Sequence, residues 1–95
     1  MNFEWDEIKN RANIKKHGFD LADAEEMFRG AIHVRPDIRE DYGEWIGIGM
    51  IQGRLAFLAF AECGEDTIRI IPLRKAEHEE RKEYEAAVHD GLETD

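Results

Sequence analysis

An α+β domain with the element order β-α-α-β-β-β-β-α is predicted by three features of the chain. Hydrophobic spacing changes from helical to alternating at Ala31. An apolar meander follows, punctuated by the two-residue turn Gln52-Gly53, and charged helical spacing returns after Pro72. The expected architecture is an antiparallel sheet of four to five strands, with two helices before it and one after it.

Phe3-Glu4-Trp5 alternates apolar and charged residues and reads as a short strand. Asp6 is placed to cap a helix running from Asp6 to His17, with Glu7 in a first turn where the helix dipole favours negative charge. That segment contains no proline or glycine and is the most basic part of the chain, through Lys9, Arg11, Lys15, Lys16 and His17. Its few apolar positions are Ile8, Ala12 and Ile14. Gly18 is the natural left-handed residue after the helix, and Phe19 supplies the apolar contact that accompanies such a cap. Asp20 starts a second short helix whose apolar face is Leu21, Ala24, Met27 and Phe28, and Arg29-Gly30 ends it.

Ile32 and Val34 then alternate with His33 and Arg35 until Pro36-Asp37, and a charged loop is expected to run to Asp41. Tyr42 to Ile51 reads as a strand carrying Gly43, Gly47 and Gly49 on one face, a smooth surface that another element can approach closely. Gln52-Gly53 makes the hairpin turn. Arg54 to Ala61 is the most apolar strand and is expected at the centre of the sheet. Gly64-Glu65-Asp66 turns the chain into a last strand, Thr67 to Ile71. The final helix is expected from about Leu73 to about His89, with Leu73, Ala76, Tyr84, Ala87 and Val88 as its apolar stripe.

A chain of 95 residues suits one domain spanning 1–95, with a short acidic tail from about 90. No apolar run approaches the roughly 20 residues of a membrane helix, so no membrane contact is expected. Acidic residues at Glu4, Asp6 and Glu7 argue against a secretory signal, and a lone Cys63 forms no internal disulfide; a cytoplasmic location is expected. The net charge of −9 excludes a domain that works by gripping nucleic acid over its whole surface. It suits instead a basic protein partner, with any nucleic-acid contact confined to a local basic site.

That local site is sought where the last strand meets the last helix, between Thr67 and Arg81. If Arg74 opens the helix, Arg74, His78 and Arg81 follow at i, i+4 and i+7 on one face, and Arg69 precedes them on the strand. Guanidinium groups bind phosphate oxygens in pairs, and an imidazole moves a proton near neutral pH. Blander alternatives stand beside this: Arg74 and Arg81 as surface partners of neighbouring glutamates, His78 as an idle surface side chain, His17 as a cation capping its helix. His33 and His89 stand apart from any motif. No Cys, His or Asp spacing fits a metal site, and no glycine loop is shaped to cradle phosphate, so neither metal nor cofactor is expected.

Several stretches, in order and at fitting spacings, carry a resemblance. They are Trp5-Asp6-Glu7-x-Lys9-Asn10, Asn13-x-x-Lys16-His17-Gly18, Ala24-x-x-x-Phe28, Arg69-Ile70-Ile71-x-x-Arg74-Lys75-Ala76 and Glu80-Arg81-x-x-Tyr84. Together they resemble the BrnT family of toxins from type II toxin–antitoxin systems. The resemblance implies a RelE-like fold, ribonuclease activity, and neutralisation by BrnA, a ribbon-helix-helix antitoxin that supplies the DNA contact in a hetero-oligomer that represses its own operon. It implies functional arginines at Arg69, Arg74 and Arg81, with the basic first helix facing them; Lys9, Lys16, His17 and Lys75 are the expected RNA-binding set, and His78 or His17 is the candidate proton shuttle beside the catalytic arginines. The chain departs from the family's usual Arg-Ile-Ile-Ser-Ala-Arg by Pro72 and Leu73, which removes a hydroxyl, and Glu77 and Glu79 lower the local potential. A second function is therefore kept open: a weakly active binding subunit that docks the antitoxin and contributes to autoregulation.

Overall fold

The computed structural model describes residues 1–38 and 44–93, with side chains of the last helix described to His89. The charged loop expected to reach Asp41, the strand start at Tyr42 and Gly43, and the side chains of the acidic tail lie outside these residues. Within them the chain forms β1 (Asn2–Glu4), α1 (Glu7–His17), a 3₁₀ turn (Leu21–Asp23), α2 (Ala24–Arg29), β2 (Ile32–Pro36), β3 (Trp45–Ile51), β4 (Arg54–Cys63), β5 (Thr67–Lys75) and α3 (His78–Glu93). The predicted α+β class and element order hold. No helix among the described residues is long and apolar enough to cross a membrane.

The sheet order is β1-β5-β4-β3-β2. β2 to β5 form the expected antiparallel meander, and β4 is indeed interior. β1 joins the far edge parallel to β5, pairing Phe3 with Ile68, so the sheet is mixed. One face buries Leu58, Phe60, Ile68, Ile70 and Leu73 against Phe19, Leu21, Ala24 and Met27. The other buries Ile46, Ile48, Leu55, Phe57 and Ala59, with Ala76 and Tyr84 packed on them. The helical segment after Gly18 therefore covers one face and α3 the other.

Local signals set most boundaries. Asp6 accepts hydrogen bonds from the Ile8 and Lys9 amides at 2.9 and 3.1 Å, and Gly18 at φ 75° closes α1 with a 2.8 Å bond to the Ile14 carbonyl. Asp20 caps a 3₁₀ turn through the Ala22 amide, so the second helix is shorter than its apolar spacing suggests. Gln52 and Gly53 both take positive φ, 49° and 79°, which suits a two-residue hairpin.

The few apolar positions of α1 do not seat it on the core: Ile8 is 79% and Ile14 43% exposed, and the buried residues of that helix are Asn10 and Asn13. The expected end of the last strand does not hold. β5 continues through Pro72 to Lys75, and α3 starts only at His78. The register shifts from Phe60↔Ile70 to Leu58↔Leu73, which leaves Ile71 and Pro72 together opposite Ala59 as a bulge. Pairing with β1 has ended at Arg69, so the missing N–H of Pro72 interrupts no ladder on that side. Leu73 and Ala76 belong to the sheet's core rather than to a helical stripe. Arg74, His78 and Arg81 consequently do not share a helix face.

Candidate functional site

Beyond Arg69 the outer edge of β5 is taken up by α1. The Asn13 carboxamide donates to the Leu73 carbonyl at 2.9 Å and accepts from the Leu73 amide at 3.2 Å. Between the end of β1 and this contact lies a shallow groove of about 230 Å³, lined by Lys9, Ala12, Lys16, His17, Ile71 and Pro72 beside Asn13. Lys9, Lys16 and His17 stand four residues before and three and four after Asn13, so all three share its helix face. The expected RNA-binding residues of α1 thus meet the bulged strand. Burial holds the His17 imidazole below its ordinary pKa, and Lys16 and Arg74 push it further the same way, which keeps the ring neutral at neutral pH.

Arg74 reaches to the other face of the sheet. Its guanidinium lies 4.0 Å over the Phe57 ring and forks onto Glu80, with Nη1 and Nη2 donating at 2.9 and 2.8 Å. Nη1 also donates to the Lys75 carbonyl at 3.0 Å, and Glu77 stands at 3.6 Å. Glu80 is desolvated, which favours its neutral form, but hydrogen bonds from Arg74 and the Glu77 amide outweigh this and hold the carboxyl below its ordinary value. Arg69, further back on β5, donates to Glu4 at 3.2 Å. Lys75 ends the strand, exposed, opposite Ala56.

His78 and Arg81 are exposed; Arg81 lies 3.9 Å from Glu85. The half-buried positions of α3 are Glu80, Glu83, Tyr84, Ala87 and Val88, and His78 and Arg81 point away from that stripe. The structure thus gathers Lys9, Lys16 and His17 against β5, places Arg74 in the cleft beneath α3, and leaves His78 and Arg81 outside both.

A second group lies apart from the predicted residues. Glu83 accepts from Arg35 Nε at 2.6 Å and lies 2.8 Å from His33 Nε2, although His33 stood apart from any motif. Arg35, Arg74, Glu80 and Glu83 line a cleft of about 740 Å³ between α3 and the sheet, floored by Ile46 and Phe57. Among the described residues its lining holds two arginines and five carboxylates. The signal for it was the helical spacing of Glu80, Glu83 and Tyr84, visible once α3 is started at His78. Among the described residues, no group of three or more His, Cys, Asp or Glu side chains is assembled to hold a metal ion.

Residues 5–80 match the family model described as ribonuclease toxin, BrnT, of type II toxin-antitoxin system. The Brucella abortus ribonuclease toxin BrnT, solved as a crystal structure, superposes with a TM-score of 0.68 at 32% identity, over 82% of this chain and 99% of that one. No curated protein sequence matches the chain at a significant level. The fold, with its basic helix set against β5, is thus that of a toxin from a type II toxin–antitoxin system. Within that class the chain belongs to the BrnT family of ribonuclease toxins.

Proposed function

We propose that this chain is an endoribonuclease toxin that cleaves RNA without a metal ion and is neutralised by a BrnA-like ribbon-helix-helix antitoxin. The observation that carries the reading is the groove in which Lys9, Lys16 and His17 meet the β5 bulge, with Arg74 one residue beyond Leu73. A phosphodiester lying there meets ammonium groups and an imidazole that is neutral and so able to accept a proton. His17 takes the proton of the RNA 2′-hydroxyl as that oxygen attacks the adjacent phosphorus. Arg74 leaves Glu80 and forks onto the phosphate, where it stabilises the added negative charge. The 5′-oxygen departs with a proton from Lys9 or Lys16, and a 2′,3′-cyclic phosphate remains. Arg69 and Lys75, on either side of the bulge, hold flanking phosphates. His78 and Arg81 take no part in the step.

The test is to incubate the antitoxin-free protein with RNA in the presence of a chelator and to identify the new ends. Cleavage leaving cyclic phosphate, weakened by Arg74→Ala and by a Lys9→Ala, Lys16→Ala double variant that stays folded, is the expected result. Intact RNA with the wild type, together with normal growth on expression, overturns it.

A second reading rests on the pairing of the arginines. Arg74 with Glu80 and Arg69 with Glu4 are already neutralised, in a chain of net charge −9. This favours a feebly active subunit whose main work is to dock a basic antitoxin, the DNA being contacted only by that partner. Retained antitoxin binding without RNA cleavage is the outcome that selects it.

A further inference from the structure

We infer that Asn13 is a positioning residue for the cationic groove: its carboxamide stands in for a strand residue on the outer edge of β5 and fixes where Lys9, Lys16 and His17 lie. The inference deepens the proposed ribonuclease reading and depends on it for its functional half.

β1 pairs with β5 only as far as Arg69, and Pro72 offers no N–H. Further along that edge Leu73 turns both its N–H and its C=O outward, and Asn13 answers both groups, as a peptide unit of a neighbouring strand would. Its amide nitrogen also donates to the Phe19 carbonyl at 2.9 Å, so one carboxamide fixes α1, the chain after Gly18 and β5 to one another. Asn13 is 8% exposed, and every one of these bonds is buried. Left unpaired, the groups would be costly, which makes the register specific rather than merely adhesive.

An apolar stripe does not do this job, because Ile8 and Ile14 face solvent. Sliding α1 by one residue turns its side chains by about 100° and carries the three cations away from Ile71 and Pro72. Asn10 provides the contrast within the same helix. It is as deeply buried, at 5%, but it donates to Asp20 at 2.9 Å and accepts from the Leu21 amide at 2.8 Å. Asn10 therefore ties α1 to the segment that follows it, and Asn13 ties α1 to the sheet.

The two asparagines supply a matched test. Asn13→Ala and Asn10→Ala each remove a buried carboxamide, so both lower thermal stability. His17 reports on the groove without any RNA, because its depressed pKa comes from burial and from Lys16 and Arg74. NMR titration should show His17 moving toward its ordinary value of 6.5 in Asn13→Ala and staying low in Asn10→Ala. RNA cleavage should fall by roughly tenfold to hundredfold in Asn13→Ala alone, the scale of a misplacement of about an ångström. Equal His17 shifts in the two variants, or no shift in Asn13→Ala, overturn the inference. If Asn13→Ala does not fold, amide hydrogen exchange in the wild type decides. Leu73 N–H should be protected although no strand covers it, and fast exchange there overturns the strand-like pairing. A wild type that fails to cleave RNA defeats the ribonuclease reading, whereas the His17 titration and Leu73 exchange still decide the placement of Asn13.

Discussion

Arg74, near the end of β5, and Glu80, in the first turn of α3, share a forked ion pair with both guanidinium Nη atoms on the two carboxylate oxygens. Only 22% and 15% of their side-chain surfaces are exposed, and Phe57 lies beneath the guanidinium. Glu80 also accepts from the Glu77 amide at 2.8 Å, the backbone-capping half of a capping box. One carboxylate thus starts the helix and occupies the arginine fork that a phosphate would use. In the proposed reaction a phosphate takes this fork only by displacing Glu80.

Glu80→Gln tests that competition. Its carboxamide oxygen keeps the bond to the Glu77 amide, but the negative charge on Arg74 is gone. RNA affinity at fixed salt should rise severalfold, and stability should fall by about 1–3 kcal/mol, the scale of a partly buried charged bond lost. Filter binding and thermal unfolding measure the two effects. Unchanged or weaker RNA binding would remove Arg74 from the phosphate site.

The same pair predicts how the protein responds to acid. Burial alone would raise the Glu80 carboxyl, but the bonds from Arg74 and the Glu77 amide bring its folded pKa below the unfolded value of 4.5. A carboxyl lowered by folding adds stability that is present above its unfolded pKa and is lost as pH falls through the folded one. The wild type should therefore exceed Glu80→Gln in stability at neutral pH, and the gap should close below about pH 4.5. Denaturant unfolding of both proteins between pH 7 and pH 3 gives the comparison. A gap that persists at the acid end would mean that the carboxylate form contributes nothing.

Features written into a few consecutive residues were legible in the sequence. Asp6 and Gly18 bound α1, and Gln52-Gly53 makes its turn, because caps and tight turns depend on local hydrogen bonds and φ values. The end of β5 was not legible, because Pro72 is a stop signal unless it falls in a bulge, and the bulge of β5 depends on its register with Ala59 across the sheet. The Arg74 neighbourhood was misplaced for the same reason: one strand–helix boundary decides whether it meets His78 and Arg81 or Phe57 and Glu80. The docking of α1 was hidden differently. Asn10 and Asn13 sat inside the family-like motifs, but hydrophobic periodicity carries no signal for a helix seated on hydrogen bonds. The parallel edge position of β1 joins residues separated by most of the chain, and no local pattern encodes it.

Gly47 shows a sequence signal whose meaning needed the structure. A Cβ there would lie 3.1 Å from Ile32 Cδ1, 3.4 Å from Leu58 Cδ2 and 3.5 Å from the Phe60 ring. The tightest neighbour is the end of a flexible side chain, so Gly47→Ala should be accommodated by a small shift of Ile32. Gly47→Leu has no such outlet against Leu58 and Phe60 and should cost about 1–3 kcal/mol through overpacking. Urea midpoints at unchanged slope would give both values. Equal tolerance of Ala and Leu would show that this face of β3 is not closely packed.

His17 and His78 make opposite predictions about the proton transfer. His17 lines the groove with Lys9 and Lys16 and lies close enough to Arg74 for that charge to act on it; His78 is exposed at the start of α3. If neutral His17 accepts the 2′-hydroxyl proton, cleavage should fall on the acid side with an apparent pKa below 6.5. His17→Asn should abolish that limb and reduce kcat by roughly 10²–10⁴-fold, while His78→Ala leaves rate and profile unchanged. The lowered histidine pKa also means that protonating His17 opposes folding, so stability too is lost as pH falls through its folded value. Circular dichroism at each pH separates the two effects, because loss of activity through His17 must precede loss of helix. An acid limb that survives His17→Asn but disappears in His78→Ala would move the proton transfer to α3 and displace the groove from the reaction.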